Sequence, residues 1–186
     1  MTSPRPFRRR PAFSRWACVF LVPASLAACS PGLDWREVRP ADSGLLLMFP
    51  CKPEVHSRPA TASEPVRMGM AQCKADGITF SVSWAEVRDP ALVTPAMRQM
   101  RESVMSKLGA AEAGAPQALQ VPGMTPSPEA VQLHLRSPAR PGEAGASEVD
   151  LALFTRGLWV YQVLMLAPKR QPAAWEGFIN AMKLET

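Results

Sequence analysis

The sequence predicts an α+β domain, an antiparallel β-sheet of about six strands with helices packed on it. Three observations lead there. Runs with an apolar period of two lie between residues 66 and 87 and again between 130 and 155. The links joining neighbouring runs have hairpin length. Two stretches of helical period, Pro95–Leu108 and Pro172–Met182, separate and close the strands, giving the order strands, helix, strands, helix.

The elements follow along the chain. Trp35-Arg36-Glu37-Val38 alternates and suits a short edge strand, and Leu45–Phe49 is an apolar run stopped by Pro50. Val66–Cys73 alternates loosely, with Val66, Met68 and Met70 on one face. Asp76-Gly77 is a hairpin turn leading into Ile78–Val87, the cleanest strand, in which Ile78, Phe80, Val82 and Trp84 share a face. Thr94 and Pro95 suit the N-cap and first position of a helix running to Leu108 and stopped by Gly109. Met97, Met100, Val104, Met105 and Leu108 recur at helical spacing, which reads as core ahead of a methionine-rich binding surface. Residues 109–128 read as loop, with room for a short strand at Ala118–Val121. Ala130–Arg136 places Val131, Leu133 and Leu135 inward and His134 outward, and Ser137–Ala146 is a Pro/Gly-rich connection. Glu148–Thr155 and Leu158–Leu166 flank a turn at Arg156-Gly157; the second is apolar on both faces, as a central strand is. The last helix carries Trp175, Phe178, Ile179 and Met182 on one side.

The start of the chain is unlike the rest. Arg5, Arg8, Arg9, Arg10 and Arg15 precede an apolar stretch, Trp16 to Ala28, too short for the roughly 20 residues of a membrane-spanning helix. This layout is that of a secretory signal. Leu26-Ala27-Ala28-Cys29 resembles the lipobox of bacterial lipoproteins. The resemblance implies a diacylglyceryl group on the Cys29 sulfur, cleavage before Cys29 and acylation of the new amino group. Ser30 follows where Asp is absent, which in Gram-negative lipoproteins favours the outer membrane, the domain facing the periplasm. Arg9-Arg10 is a twin arginine, but Phe13 sits one place late for the twin-arginine export pattern. The organisation expected is a signal peptide over 1–28, a membrane-proximal tether over 29–44, reaching at most about 50 Å, and a single domain over 45–186.

Removal of the signal changes the charge argument. The whole chain has 21 basic and 16 acidic residues and a net charge of +5, all of which disappears with the five signal arginines. No electrostatic case remains for nucleic acid. Of the four cysteines, Cys18 leaves with the signal and Cys29 is taken by lipid. Cys51 and Cys73 remain, in a disulfide-permissive compartment. They read as a disulfide closing a loop of about 22 residues, ahead of two buried thiols or a zinc pair without nearby histidines.

Three stretches stand out within this element order: Leu45-Leu46-Leu47-Met48-Phe49-Pro50-Cys51-Lys52-Pro53, then Leu158-Trp159-Val160-Tyr161, and the closing Phe178-Ile179-Asn180-Ala181-Met182-Lys183-Leu184. With them the chain resembles the PsbP-like superfamily, whose members include exported lipoproteins such as the DcrB-like group. The commoner closing motif has Ser where Ala181 stands. The resemblance implies a sheet sandwiched between helices, an α/β/α arrangement, and implies no activity, the superfamily being dominated by assembly and accessory proteins.

Candidates for chemistry are few. The sequence contains no G-x-S-x-G, phosphate-binding glycine loop, H-E-x-x-H or C-x-x-C, and implies no cofactor or metal. Of the two histidines, His56 lies in a proline-rich stretch and His134 on the outward register of a strand. Glu148 and Asp150 read as a solvated strand face, Asp89 as a turn residue, Lys169-Arg170 as ordinary surface, and Trp35, Trp84, Trp159 and Trp175 as core. The function expected is therefore a non-enzymatic binding or assembly-accessory module, anchored to the membrane through Cys29 and meeting an envelope protein. A small hydrolase using His56 or His134, or a carrier of an apolar ligand held by methionine and tryptophan, are the alternatives.

Overall fold

A computed structural model describes residues 32–62, 66–139 and 145–185. The chain divides into two units, Met1–Ser30 and Pro31–Thr186, and the described residues belong to the second. Residues 1–28, read from the sequence as a signal peptide, and Cys29 lie outside them. In chain order the strands are β1 (Arg36–Val38), β2 (Leu45–Phe49), β3 (Glu54–Arg58), β4 (Arg67–Ala75), β5 (Ile78–Glu86), β6 (Ala111–Glu112), β7 (Gln117–Ala118), β8 (Val131–Ser137), β9 (Ser147–Arg156), β10 (Trp159–Ala167) and β11 (Lys183–Leu184). The helices are α1 (Val93–Leu108), preceded by a 3₁₀ turn at Pro90–Leu92, and α2 (Pro172–Ile179).

Among the described residues the strands form two sheets. The large sheet runs β3-β4-β5-β10-β9-β8-β6, with β7 also on β8, and the small one runs β1-β2-β11. Every pairing is antiparallel. The α+β class with an antiparallel sheet is as the sequence predicts, but the strand count is not: eight strands make the large sheet and three the small one. β3, β6 and β11 were not expected. β3 is fully exposed and carries one apolar side chain, and the other two span two residues each, so none has an alternation to read.

The strongest sequence patterns map onto the centre. Ile78, Phe80, Val82 and Trp84 of β5 are all buried. The β4–β5 hairpin turns at Asp76 and Gly77, with φ of 54° and 75°, the left-handed pair that Asp-Gly supplies with least strain. β10, apolar on both faces, lies between β5 and β9. Gly69 of β4 lets the Trp84 ring lie against the backbone, since a Cβ there would come within 2.3 Å of Trp84 Cζ2.

Over its central strands, both faces of the large sheet are covered. On one, Met97 and Val104 of α1 pack with Leu133, Leu135, Val149, Leu151 and Val160. On the other, α2 and the small sheet pack on β4, β5, β9 and β10. Phe178 of α2 sits between the two sheets, its ring centroid 5.2 Å from that of Phe49 and 5.3 Å from that of Phe80. The Cys51–Cys73 disulfide, with Cα atoms 6.0 Å apart, ties the second residue after the end of β2 to β4 and so fastens one sheet to the other.

Local boundaries differ in three places. Thr94 lies inside α1 rather than at its N-cap, because Asp89 caps a 3₁₀ turn that starts the helical segment earlier, accepting from the Ala91 amide at 2.8 Å. α2 stops at Ile179, although Met182 is buried as expected. The segment read as tether is partly folded: β1 pairs with β2, Ser43 is buried, and Leu33, Trp35 and Val38 pack on the core.

Candidate functional site

β8 and β9 pair in the register His134 opposite Asp150 and Arg136 opposite Glu148. Leu133, Leu135, Val149 and Leu151 between them point to the α1 core. Alternation therefore turns the four polar residues to the opposite face, the one that also carries α2. There they form a charge cluster. His134 Nδ1 lies 3.0 Å from Asp150 Oδ1 in hydrogen-bond geometry. Arg136 Nε donates to Glu148 Oε1 at 3.1 Å. His134 Nε2 lies 2.9 Å from Glu148 Oε2, yet this buried oxygen has no aligned hydrogen-bond donor. The contact is thus a close approach without hydrogen-bond alignment.

The reading of Glu148 and Asp150 as a solvated face is corrected. Asp150 is 5% exposed, and the Glu148 and His134 side chains are 15% exposed each. In a sheet covered on one side only, the outward register would be wet; here the second face is covered as well. Burial raises the Asp150 carboxyl above the usual carboxylate range. The His134 hydrogen bond and the His134 and Arg170 charges pull it down, and the Glu148 charge pushes it up.

Beside the cluster is an open cavity of about 530 Å³, lined by Gln117, Gln132, His134, Asp150, Arg170, Trp175 and Glu176 together with the 113–116 loop. A polar chain fixes its wall: Trp175 Nε1 donates to Gln132 Oε1 at 3.2 Å, and Gln132 Nε2 donates to Gln117 Oε1 at 3.3 Å. Arg170, read from the sequence as ordinary surface, belongs to this lining. The cavity offers donors and acceptors to a polar ligand, with Leu133, Pro116, Pro172 and Trp175 among its apolar lining.

A histidine hydrogen-bonded to a buried aspartate is also the orienting half of a general-base pair. In such a pair the other ring nitrogen must face the substrate, and in this protein it faces Glu148. A neutral imidazole has a single N–H and donates to one of the two carboxylates; donation to both requires the imidazolium. The arrangement is a polar clamp across two strands, with a carboxylate facing each ring nitrogen. No group of three or more His, Cys, Asp and Glu among the described residues is arranged to hold a metal.

The other sequence-read residues are dispersed. His56 is exposed on β3, opposite Met70, far along the strand order from His134. Trp84, Trp175 and Met97 are buried in the core, while Trp35, Trp159, Met100 and Met105 are half-buried against it. Among the described residues no helix is long and apolar enough to cross a membrane. No family model matches the chain, and no curated protein matches it.

Proposed function

We propose that this chain is an exported, lipid-anchored protein of the bacterial envelope whose domain binds a partner without transforming it. The anchor is lipid on Cys29, and the place is the outer membrane, facing the periplasm. The observation that carries the reading is the Cys51–Cys73 disulfide. It joins the two cysteines that remain once Cys18 leaves with a signal peptide and Cys29 is lipidated, and it suits an oxidising compartment.

Binding is favoured over catalysis by the clamp, in which both nitrogens of His134 face carboxylates. The covering of the large sheet by α1 on one face and α2 on the other supports kinship with the PsbP-like and DcrB-like sandwich, and with it an assembly-accessory role alongside an envelope protein. The balance of charge beyond residue 28 argues against a nucleic-acid partner. A small hydrolase is the second reading, drawn from the cavity beside His134 and Asp150.

Metabolic labelling with palmitate tests the anchor. Label on the wild type that is lost in Cys29→Ser supports it, and label that persists in Cys29→Ser overturns it. Crosslinking in intact cells then tests the module. A defined envelope partner captured equally by wild type and His134→Gln supports binding without catalysis.

A further inference from the structure

The two edges of the large sheet are unequal. At one, β6 and β7 are two-residue strands separated along β8. At the other, β3 is a five-residue strand, Glu54-Val55-His56-Ser57-Arg58, in which every residue is exposed. Among the described residues, no strand pairs with its outer side. An edge of this length leaves backbone donors and acceptors ready to pair with another strand. Val55, 44% exposed, adds apolar surface.

The sequence of β3 is complementary to itself. When the strand lies antiparallel to a copy about an axis at His56, Glu54 faces the copy's Arg58, Arg58 faces the copy's Glu54, and Val55 faces Ser57. Glu54, His56 and Arg58 pair with Gln72, Met70 and Met68 of β4 and so share one face. Both charge pairs thus fall directly opposite on that face, where opposite charges stabilise a ladder. Pro53 and Pro59 bound the strand and lack the N–H that a longer or shifted ladder needs. Full overlap is left to the register centred on residue 56. Shifting the axis to residue 57 would set His56 against Arg58. The short, broken β6 edge is a poor mate for β3, so the pairing closes as a twofold dimer instead of growing head to tail.

We infer that β3 is a homodimerisation edge, through which two copies of this chain join their large sheets antiparallel about a twofold axis at His56. A five-residue strand pair is small beside a standard interface of about 1,600 Å², so the dimer is expected to dissociate in the micromolar range. Confinement of both copies to one membrane would raise their effective concentration.

The test uses the full chain purified in detergent, with mass followed by light scattering across the micromolar range. Wild type is expected to pass from monomer to dimer. Glu54→Arg and Arg58→Glu should each raise the dissociation constant about 30-fold, since either reverses both cross-strand pairs. The double charge swap should restore the wild-type value, which a loss of folding would not do. Oxidation of His56→Cys should give a covalent dimer, the opposed Cα atoms being about 4.5–5.5 Å apart. Val55→Cys, which meets residue 57 of the copy, should give far less. A chain monomeric throughout that range, a dimer indifferent to the charge reversals, or crosslinking at 55 equal to that at 56 overturns the proposal.

Discussion

Replacing Cys51 and Cys73 together by alanine removes the bridge between the two sheets. The residues are 22 apart, and closing a loop of that length removes denatured-state entropy worth about 3 kcal/mol at 25 °C. For a folded unit of about 150 residues each kcal/mol moves Tm by about 2–4 °C, so the double variant should melt about 10 °C lower. Urea unfolding followed by tryptophan fluorescence measures the free energy directly. The slope should not fall, because the unbridged denatured chain is at least as expanded as the bridged one. Cys73 is buried, so alanine there also leaves a small void. Reducing the wild type with dithiothreitol separates that packing loss from the loss of the cross-link. If the reduced wild type is as stable as the oxidised protein, or the double variant loses less than about 1 kcal/mol at unchanged slope, the entropic account fails.

Four further outcomes are expected. The Asp150 carboxyl is raised in the folded state, so its contribution to stability is complete below the unfolded value of about 3.9 and is lost as pH rises through the folded one; the stability of wild type relative to Asp150→Asn should decline from about pH 4 toward neutrality, and a constant or growing difference in thermal melts would contradict it. Tyr161→Phe removes a hydroxyl that donates to the buried Ser43 carbonyl at 2.9 Å, which should cost about 1–2 kcal/mol in urea titrations while the stacking on Phe154, at 4.9 Å, is kept. Burial pushes the Tyr161 phenol up to about 12, and ultraviolet titration of this single tyrosine should find its phenolate there. Gly69→Ala would drive a Cβ into the buried Trp84 ring and should cost about 1–3 kcal/mol or more, whereas Gly114→Ala, which faces open space, should leave the melting curve nearly unchanged.

What the sequence revealed of the fold follows how much each element depends on its own pattern. β5 and β10 carry enough apolar side chains to declare period and burial, and Asp76-Gly77 declares its own turn. β3 owes its place to pairing with β4, and a strand exposed at every position has no hydrophobic pattern to betray it. β11 is two residues long and exists because β2 offers it a ladder. The site was harder still. His134, Glu148 and Asp150 alternate as a solvated face would, and only the covering of both faces makes them buried. Their pairing depends on the β8–β9 register, and the connection from Ser137 to Ser147 is too long for its sequence to announce that register. Arg170 sits beyond the end of β10 and reaches the cavity through the path of the chain into α2. Nothing in its immediate neighbours signals that.

The small sheet joins the beginning of the folded unit to its end. β2 pairs with β11, the Glu185 amide donates to the Gly44 carbonyl at 2.9 Å, and Arg156 donates to the Glu185 carbonyl. A chain that emerges amino end first, from a ribosome or through a pore, therefore waits with Leu45 and Leu46 unmatched until Lys183 and Leu184 are free. The large sheet has a similar delay, since β5 meets β10 only after some 70 intervening residues have appeared. During that interval the apolar run Leu45–Phe49 is a client for whatever holds unfolded chains. The fold is a clasp that shuts when Lys183 and Leu184 reach β2.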